Sequence, residues 1–167
     1  MDRFTIRNLE LFYSSNEDAK TLIDIIDETR SAMGGRMLRR WLALPLKDEI
    51  EIIKRHEIVE ELFTNDDISK TLINEIDIIG DLERLISKVA TLRINPRECI
   101  RLSEALNSMQ PIKEACNHSS LKILNKIGES IDPCESIRIK IEKELCETPP
   151  ILLNKGGVIN SSVDSEL

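Results

Sequence analysis

The sequence predicts an all-α protein, an irregular multi-helix bundle with a short extended N-terminal arm and a C-terminal β-hairpin. Isoleucine and leucine abound, whereas aromatic residues make up only 3% of the 167 residues, which favours aliphatic packing of helix on helix. Apolar residues recur at intervals of three and four along most of the chain, as in amphipathic helices. Residues that cap helices stand just before several of these periodic segments.

The composition limits the class of protein. A hydrophobic content of 41% and a charged content of 32% are typical of one soluble globular domain. The net charge of −7 argues against a free-standing nucleic-acid-binding protein, because the phosphate backbone attracts basic surfaces. We find no signal peptide and no apolar run near the roughly 20 residues that span a bilayer. The sequence therefore predicts a cytoplasmic protein without membrane contact.

The N-terminal third is organised around a helix predicted within Met33–Leu46. Before it, Phe4–Tyr13 is apolar without a helical period and is predicted to be the extended arm. Ser14–Asn16 offers caps for a short helix, and Ser31 offers one for the longer helix. Pro45 should end the longer helix just before it, because proline disfavours helix at the preceding residue. The predicted buried stripes are Ala19, Leu22, Ile23 and Ile26 in the short helix, and Met33, Met37, Trp41 and Leu44 in the longer one.

The middle of the chain predicts three further helices. The first is Lys47–Thr64, and Asn65 or Asp66 caps the second. Gly80 suits the left-handed residue that ends the second helix, and Asp81 caps the third. The predicted inward stripes are Ile52, His56, Val59 and Phe63; then Ile68, Leu72, Ile76 and Ile79; then Leu82, Leu85, Ile86 and Val89.

The C-terminal half begins two helices with the same signature, a cap followed by proline and glutamate. These starts are Asn95–Glu98 and Asp132–Glu135. Pro111 should end the first of these helices and start a short segment, and Gly128 should close another short helix. Asn154–Gly157 lies between two apolar segments and predicts a β-hairpin. The inward residues are predicted to be Cys99, Leu102, Leu106 and Met109; Ile112, Ala115 and Cys116; the short helix Leu121–Ile127; and Ile137, Ile141 and Leu145.

An arginine cluster is the main candidate site. Arg36, Arg39 and Arg40 share a helix face, and no acidic residue occurs between Arg30 and Leu46. The cluster is suited to phosphate, which glycines near a helix start would help to bind. It is equally suited to carboxylates of neighbouring helices. We favour carboxylates, because no aromatic residue interleaves with the cluster to stack a base.

The remaining polar residues predict no catalytic, cofactor-binding or metal-ligating site. His56 lies on an apolar stripe and is expected to be buried and hydrogen-bonded. Cys116 and His118 are too few for a closed zinc site, and no two of the four cysteines form a C-x-x-C pair. The cysteines are therefore expected to be small buried hydrophobic residues. The P-loop pattern G-x-x-x-x-G-K-[ST] is absent.

A series of short motifs follows a fixed order along the chain. They are D-R-F-T-I-R-N-L-E-L from Asp2, I-D-E-T from Ile26, M-G-G-R from Met33, L-R-R-W-L from Leu38, P-L from Pro45, G-D-L-E-R from Gly80, T-P-P from Thr148 and K-G-G-V-I from Lys155. In this order and spacing the set resembles the core, or lever, domain of the MutS family of DNA mismatch-repair proteins, over nearly the whole chain.

The resemblance implies a role for the chain. Residues 1–160 would be the first segment of the core domain, and residues 161–167 would start the connection toward a clamp domain that is absent here. The segment would be a structural lever that couples the DNA clamp to the ATPase domain, with no enzymatic activity of its own. The parent protein would be a homodimeric DNA-dependent ATPase that holds mismatched duplex DNA through other domains and binds ATP and Mg²⁺ outside this segment.

Other interpretations stay open. The chain is also compatible with a helical adaptor that binds a protein partner, or with a MutS paralogue that acts in another DNA transaction. A small metal- or thiol-dependent enzyme would have to depend on Cys116 and His118. If the segment that returns from the clamp is missing, we expect weak self-association or one exposed aliphatic patch.

Overall fold

The computed structural model describes residues 1–16, 18–150 and 156–163, and within them the protein is mostly helical without a β-sheet, which confirms the predicted all-α class. None of the helices in these ranges is long and apolar enough to cross a membrane. The helices are α1 (Arg3–Asn8), α2 (Leu22–Ile26), α3 (Ala32–Ala43), α4 (Glu49–Thr64), α5 (Asp66–Ile79), α6 (Leu82–Ala90), α7 (Pro96–Asn107), α8 (Met109–His118), α9 (Lys122–Ser130) and α10 (Glu135–Glu144).

The core lies among α5, α7, α8 and α9. Helix α8 packs along α9, α7 packs along α10, and α5 packs against α8. Full burial of one large aliphatic side chain contributes about 1.5–3 kcal/mol, so burial of this cluster stabilises the packing of these four helices. Its buried members are Ile79, Ala105, Ile112, Cys116 and Leu124.

Four predicted helix caps are confirmed by side-chain hydrogen bonds of 3.0–3.3 Å. The caps, each with the residue whose N–H donates to it, are Ser31 with Gly34, Asn65 with Ile68, Asp81 with Arg84, and Asn95 with Glu98. The Glu98 carboxylate in turn accepts from the Asn95 N–H at 3.2 Å, which completes a capping box. Gly80 ends α5 with a φ of 62°, as its position predicts.

The predicted extended arm is wrong, because residues 3–8 form helix α1. The Asp2 carboxylate accepts from the Thr5 N–H at 2.8 Å and from the Thr5 hydroxyl at 3.1 Å, which caps the helix. A helix of six residues is too short to show a hydrophobic period, so the sequence pattern could not reveal it. The next helix is capped by Thr21 in a capping box with Asp24, and not by Ser14–Asn16.

Helix α4 forms where predicted but turns a different face inward. The predicted stripe through His56, Val59 and Phe63 is wrong: all three are exposed, and Phe63 is 87% exposed. Ile58 packs against the core cluster instead, and Leu62, one turn further along, is half-buried. Because α4 carries apolar residues around most of its circumference, the spacing alone did not fix its orientation.

Helix α3 ends at Ala43 as predicted, but it is not the buried centre of the fold. Met37 is 54% exposed and Trp41 is 44% exposed, whereas Met33 packs against the core cluster. Helix α6 is similar, since Ile86 and Val89 of its regular stripe are exposed. Both helices therefore keep amphipathic faces that the described residues leave uncovered.

Local geometry also departs from prediction in the C-terminal half. Helix α10 begins at Glu135, because Asp132 accepts from the Cys134 N–H at 2.9 Å and Cys134 takes a left-handed φ of 48°. Gly128 does not end α9; it lies inside the helix, where α8 approaches closely. The break after α7 falls at Ser108, so Pro111 lies in the first turn of α8, where proline is tolerated.

The predicted C-terminal hairpin falls largely on residues 151–155, which lie outside the described residues. Within the described part, Ile159 forms an isolated antiparallel bridge with Leu145. The Cys146 N–H donates to the Val158 carbonyl at 3.0 Å, and the Asn160 N–H donates to the Glu144 carbonyl at 2.9 Å. The tail is thus joined to the end of α10.

Candidate functional site

The arginine cluster projects from α3, whose register is fixed by its Ser31 cap. The three predicted site residues, Arg36, Arg39 and Arg40, are all exposed, but the structure does not bring them to one ligand. Arg36 alone forms hydrogen bonds with carboxylates of a distant part of the chain. The candidate site is therefore the region around Arg36, where α3 meets the junction of α5 and α6.

Arg36 contacts two carboxylates through its guanidinium group. Its Nη1 and Nη2 atoms donate to the two oxygens of Asp81 at 3.0 and 2.7 Å. Its Nε and Nη2 atoms also donate to Oε2 of Glu83 at 3.1 and 2.5 Å. This is the bidentate geometry that makes arginine a specific partner of carboxylates. Because these bonds use three guanidinium nitrogens, a phosphate would have to displace a carboxylate to bind in the same way.

The charges at this site stabilise one another. The hydrogen bonds from Arg36 lower the pKa of Asp81, and the two carboxylates raise the pKa of Arg36. Asp81 has a second role, because its side chain caps α6 by accepting from the Arg84 N–H. It follows Gly80, whose positive φ lets the chain turn from α5 into α6. Arg36 thus ties α3 to the bend between two other helices.

The neighbouring arginines make weaker contacts. Arg30 forms an exposed ion pair with Asp77 of α5 at 3.5 Å. The Arg39 guanidinium lies 5.9 Å from the centre of the Phe12 ring, at the outer limit of a cation–π contact. Within the described residues, Arg40 has no ion pair with a carboxylate.

A second contact between α3 and the later helices involves the single tryptophan. The Arg55 guanidinium of α4 lies 3.6 Å from the centre of the Trp41 ring, a close stacking distance. Neither Arg55 nor the acidic partners Asp81 and Glu83 were predicted to meet α3. The sequence indicated Asp81 as the cap of a helix. Its contact with Arg36, 45 positions away, leaves no local signal in the sequence.

The other candidate residues do not assemble into a reactive site. His118 has its Nδ1 atom 2.7 Å from the Glu114 carbonyl of its own helix. Cys116 is buried in the core cluster, and burial raises the pKa of its thiol, as it does for Cys99. Among the residues that the structure describes, no group of three or more histidine, cysteine, aspartate or glutamate side chains is placed to hold a metal ion.

Comparison with known proteins identifies the family. The chain matches the MutS domain III family over residues 4–166. It is 49% identical to the DNA mismatch repair protein MutS of Bacteroides fragilis over 167 residues, 51% identical to that of Christiangramia forsetii over 170, and 50% identical to that of Flavobacterium psychrophilum over 167. All of this chain is covered in each case, but the chain spans only 19% of the length of these relatives. The chain therefore belongs to the MutS domain III family.

Proposed function

We propose that this chain is the connecting body of a DNA mismatch-repair protein, a lever that couples a DNA clamp to an ATPase domain. The observation that carries the proposal is the match to MutS domain III across nearly the whole chain. In this proposal residues 1–160 form the first segment of the core, and residues 161–167 begin the connection toward the clamp. The whole protein acts as a homodimer on mismatched duplex DNA in the cytoplasm and uses ATP and Mg²⁺ bound by a domain outside this chain.

A lever has to transmit rotation without bending, so it needs stiff elements and defined joints. The helices α5 and α7–α9 pack around one aliphatic cluster, which supports stiffness. The Arg36 contacts with Asp81 and Glu83 support a defined joint at the bend between α5 and α6. No reaction is required of the segment itself, since its proposed role is mechanical.

A second function, a helical adaptor for a protein partner, is favoured by one specific observation. Phe63 and Leu92 are 87% and 92% exposed, so a partner that covered these large apolar side chains would gain stability from their burial. The two functions differ in whether the chain needs other domains. An adaptor would act alone, whereas a lever requires the domains on both sides.

The lever is tested by exchanging segments. The gene for Bacteroides fragilis MutS is altered so that its matching 167 residues are replaced by this chain, and the mutation rate of a mutS-deficient host is measured. We expect the chimera to lower the mutation rate toward that of the natural protein. An Arg36→Glu chimera should lose most of this effect, whereas Lys70→Glu, which removes an exposed pair with Asp66 within α5, should not.

The chain alone supplies the complementary measurement. We expect no phosphate release from ATP above a buffer control, and no preference for mismatched over matched duplex near physiological salt. ATP hydrolysis or mismatch-selective binding by the chain would contradict the mechanical role. A chimera that leaves the mutation rate as high as in the deficient host, although it is folded and abundant, would also contradict it.

A further inference from the structure

The first 46 residues form a unit with its own small interior. Leu11 and Ile23 are both buried, and the Ile23 N–H donates to the Leu11 carbonyl at 3.1 Å. The amino group of Met1 donates to the Ala43 carbonyl at 2.8 Å, which closes α1 onto the end of α3. Leu11 and Ile23 are not part of the core cluster formed by the later helices. We call residues 1–16 and 18–46 the N-terminal unit, and residues 47–150 the helical body.

The N-terminal unit meets the helical body through side chains. Within the described residues, no backbone hydrogen bond joins the two. The side-chain hydrogen bonds that the structure describes between them all come from Arg36. Further contacts are the exposed pair of Arg30 with Asp77, the stacking of Arg55 on Trp41 and the packing of Met33 on the core cluster. The described contacts of the attachment are therefore mainly those of charged side chains, with Met33 as the apolar side chain that reaches the core cluster.

The ionic contacts are accessible to solvent. The Arg36 side chain is 49% exposed, and its partners Asp81 and Glu83 are 26% and 66% exposed. Charges at such positions are screened by salt, since the Debye length falls from about 10 Å at 0.1 M to about 3 Å at 1 M. The core cluster contains no charge and is not weakened in this way. Added salt should therefore weaken the attachment of the N-terminal unit without weakening the core cluster of the helical body.

We infer that Arg36, Asp81 and Glu83 form an electrostatic latch that docks the N-terminal unit on the helical body and releases it as a unit when the latch opens. The unit then turns about the connection between α3 and α4, residues 44–48, while both parts keep their helices. The inference concerns this chain alone and does not depend on the proposed function.

The single tryptophan reports on the latch. Trp41 is 44% exposed when it stacks under Arg55, so release that leaves α3 helical would raise its quenching by the neutral quencher acrylamide by no more than about twofold. We expect the quenching constant of the 167-residue chain to rise between about 0.1 M and about 1 M NaCl, because the latch is screened. The Arg36→Gln variant should show the high value already at low salt and should respond little to added salt. Circular dichroism at each salt concentration should show unchanged helix content.

Two further variants make the test decisive. Glu83→Gln removes one carboxylate partner of Arg36 at an exposed position and leaves the helix caps intact. It therefore tests the latch even if Arg36→Gln does not fold. It should give an intermediate quenching constant. Lys70→Gln removes a comparable exposed pair with Asp66 that lies wholly within α5, and it should behave as the parent chain does. If folded Arg36→Gln and Glu83→Gln show the parent's quenching and salt response, or if Lys70→Gln changes as much as they do, the latch is refuted.

Discussion

Replacing Gly128 by alanine tests a close approach between the core helices α8 and α9. A Cβ atom at this position would overlap Asn117 Oδ1 and would lie 3.0 Å from the Cβ atom of Cys116. Asn117 is exposed and its amide can rotate away. Cys116 is buried and its Cβ is fixed to the backbone of α8, so the two helices have to separate.

The expected change in the free energy of unfolding follows from two opposing effects. Overpacking of a well-packed core costs about 1–3 kcal/mol. Alanine is favoured over glycine inside a helix by about 1 kcal/mol, and Gly128 has no positive φ that would penalise it. We expect a net loss of about 1 kcal/mol, which lowers the melting temperature of a chain of this size by roughly 2–4 °C. Thermal unfolding followed by circular dichroism measures the change.

A matched control comes from α3. Gly35 is also helical, and a Cβ atom added there would have as its nearest neighbour the hydroxyl oxygen of the exposed Thr29, at 3.2 Å. This hydroxyl donates to Asp27 at 2.6 Å, but Thr29 is exposed and has to shift only slightly, so Gly35→Ala should be close to neutral. Adding Asn117→Ala to Gly128→Ala should not restore stability, because Cys116 limits the space. If Gly128→Ala is as stable as Gly35→Ala, then α8 and α9 do not pack too closely at Gly128 to accept a methyl group.

Three further predictions concern a helix cap, an ion pair and a buried thiol. Asn95→Ala removes the capping box with Glu98 and should lower the free energy of unfolding by about 1 kcal/mol, seen as a lower urea midpoint with an unchanged slope. Arg36 lowers the pKa of folded Asp81, so this carboxylate stabilises the fold above its unfolded pKa of about 3.9 and loses that contribution as the pH falls through its folded value. The fall in urea midpoint below about pH 4 should therefore be smaller in Asp81→Asn, and an equal fall would contradict the assignment. Cys116 is buried whereas the other three cysteines are half-buried, and burial also raises the pKa of its thiol, so this thiol should react more slowly with Ellman's reagent than the other three until the chain unfolds, as mass mapping of the labelled peptides would show.

The sequence predicted helix caps well, because a cap is a local interaction between a side chain and an N–H two or three residues later. Asn95 with Glu98 shows this best, since the cap, the proline and the glutamate all favour a helix that starts at the same position. The same signature failed at Asp132. There the aspartate accepts from the N–H of Cys134, two residues on, and forms a turn that competes with the helix start.

The sequence predicted helix orientation and the site less well, because both depend on distant residues. His56 lies on an apolar stripe in the sequence and on an exposed face in the fold, since Ile58 contacts the core instead. The pattern pointed to Arg36, Arg39 and Arg40 together and favoured carboxylates as their partners. It did not identify Asp81 and Glu83, which lie beyond α4 and α5 in the sequence and meet Arg36 only in the folded structure.

The order of these contacts along the chain has a consequence for synthesis on the ribosome. The partners of Arg36 follow it by 45 and 47 residues. At roughly 5–20 residues per second, Asp81 is made about 2–9 seconds after Arg36. During that interval α3 has no docking site, and the aliphatic cluster that supports it still awaits Leu124. Met37 and Trp41 are then available to chaperones, so α3 is fixed in place only after the helices that follow it have been made.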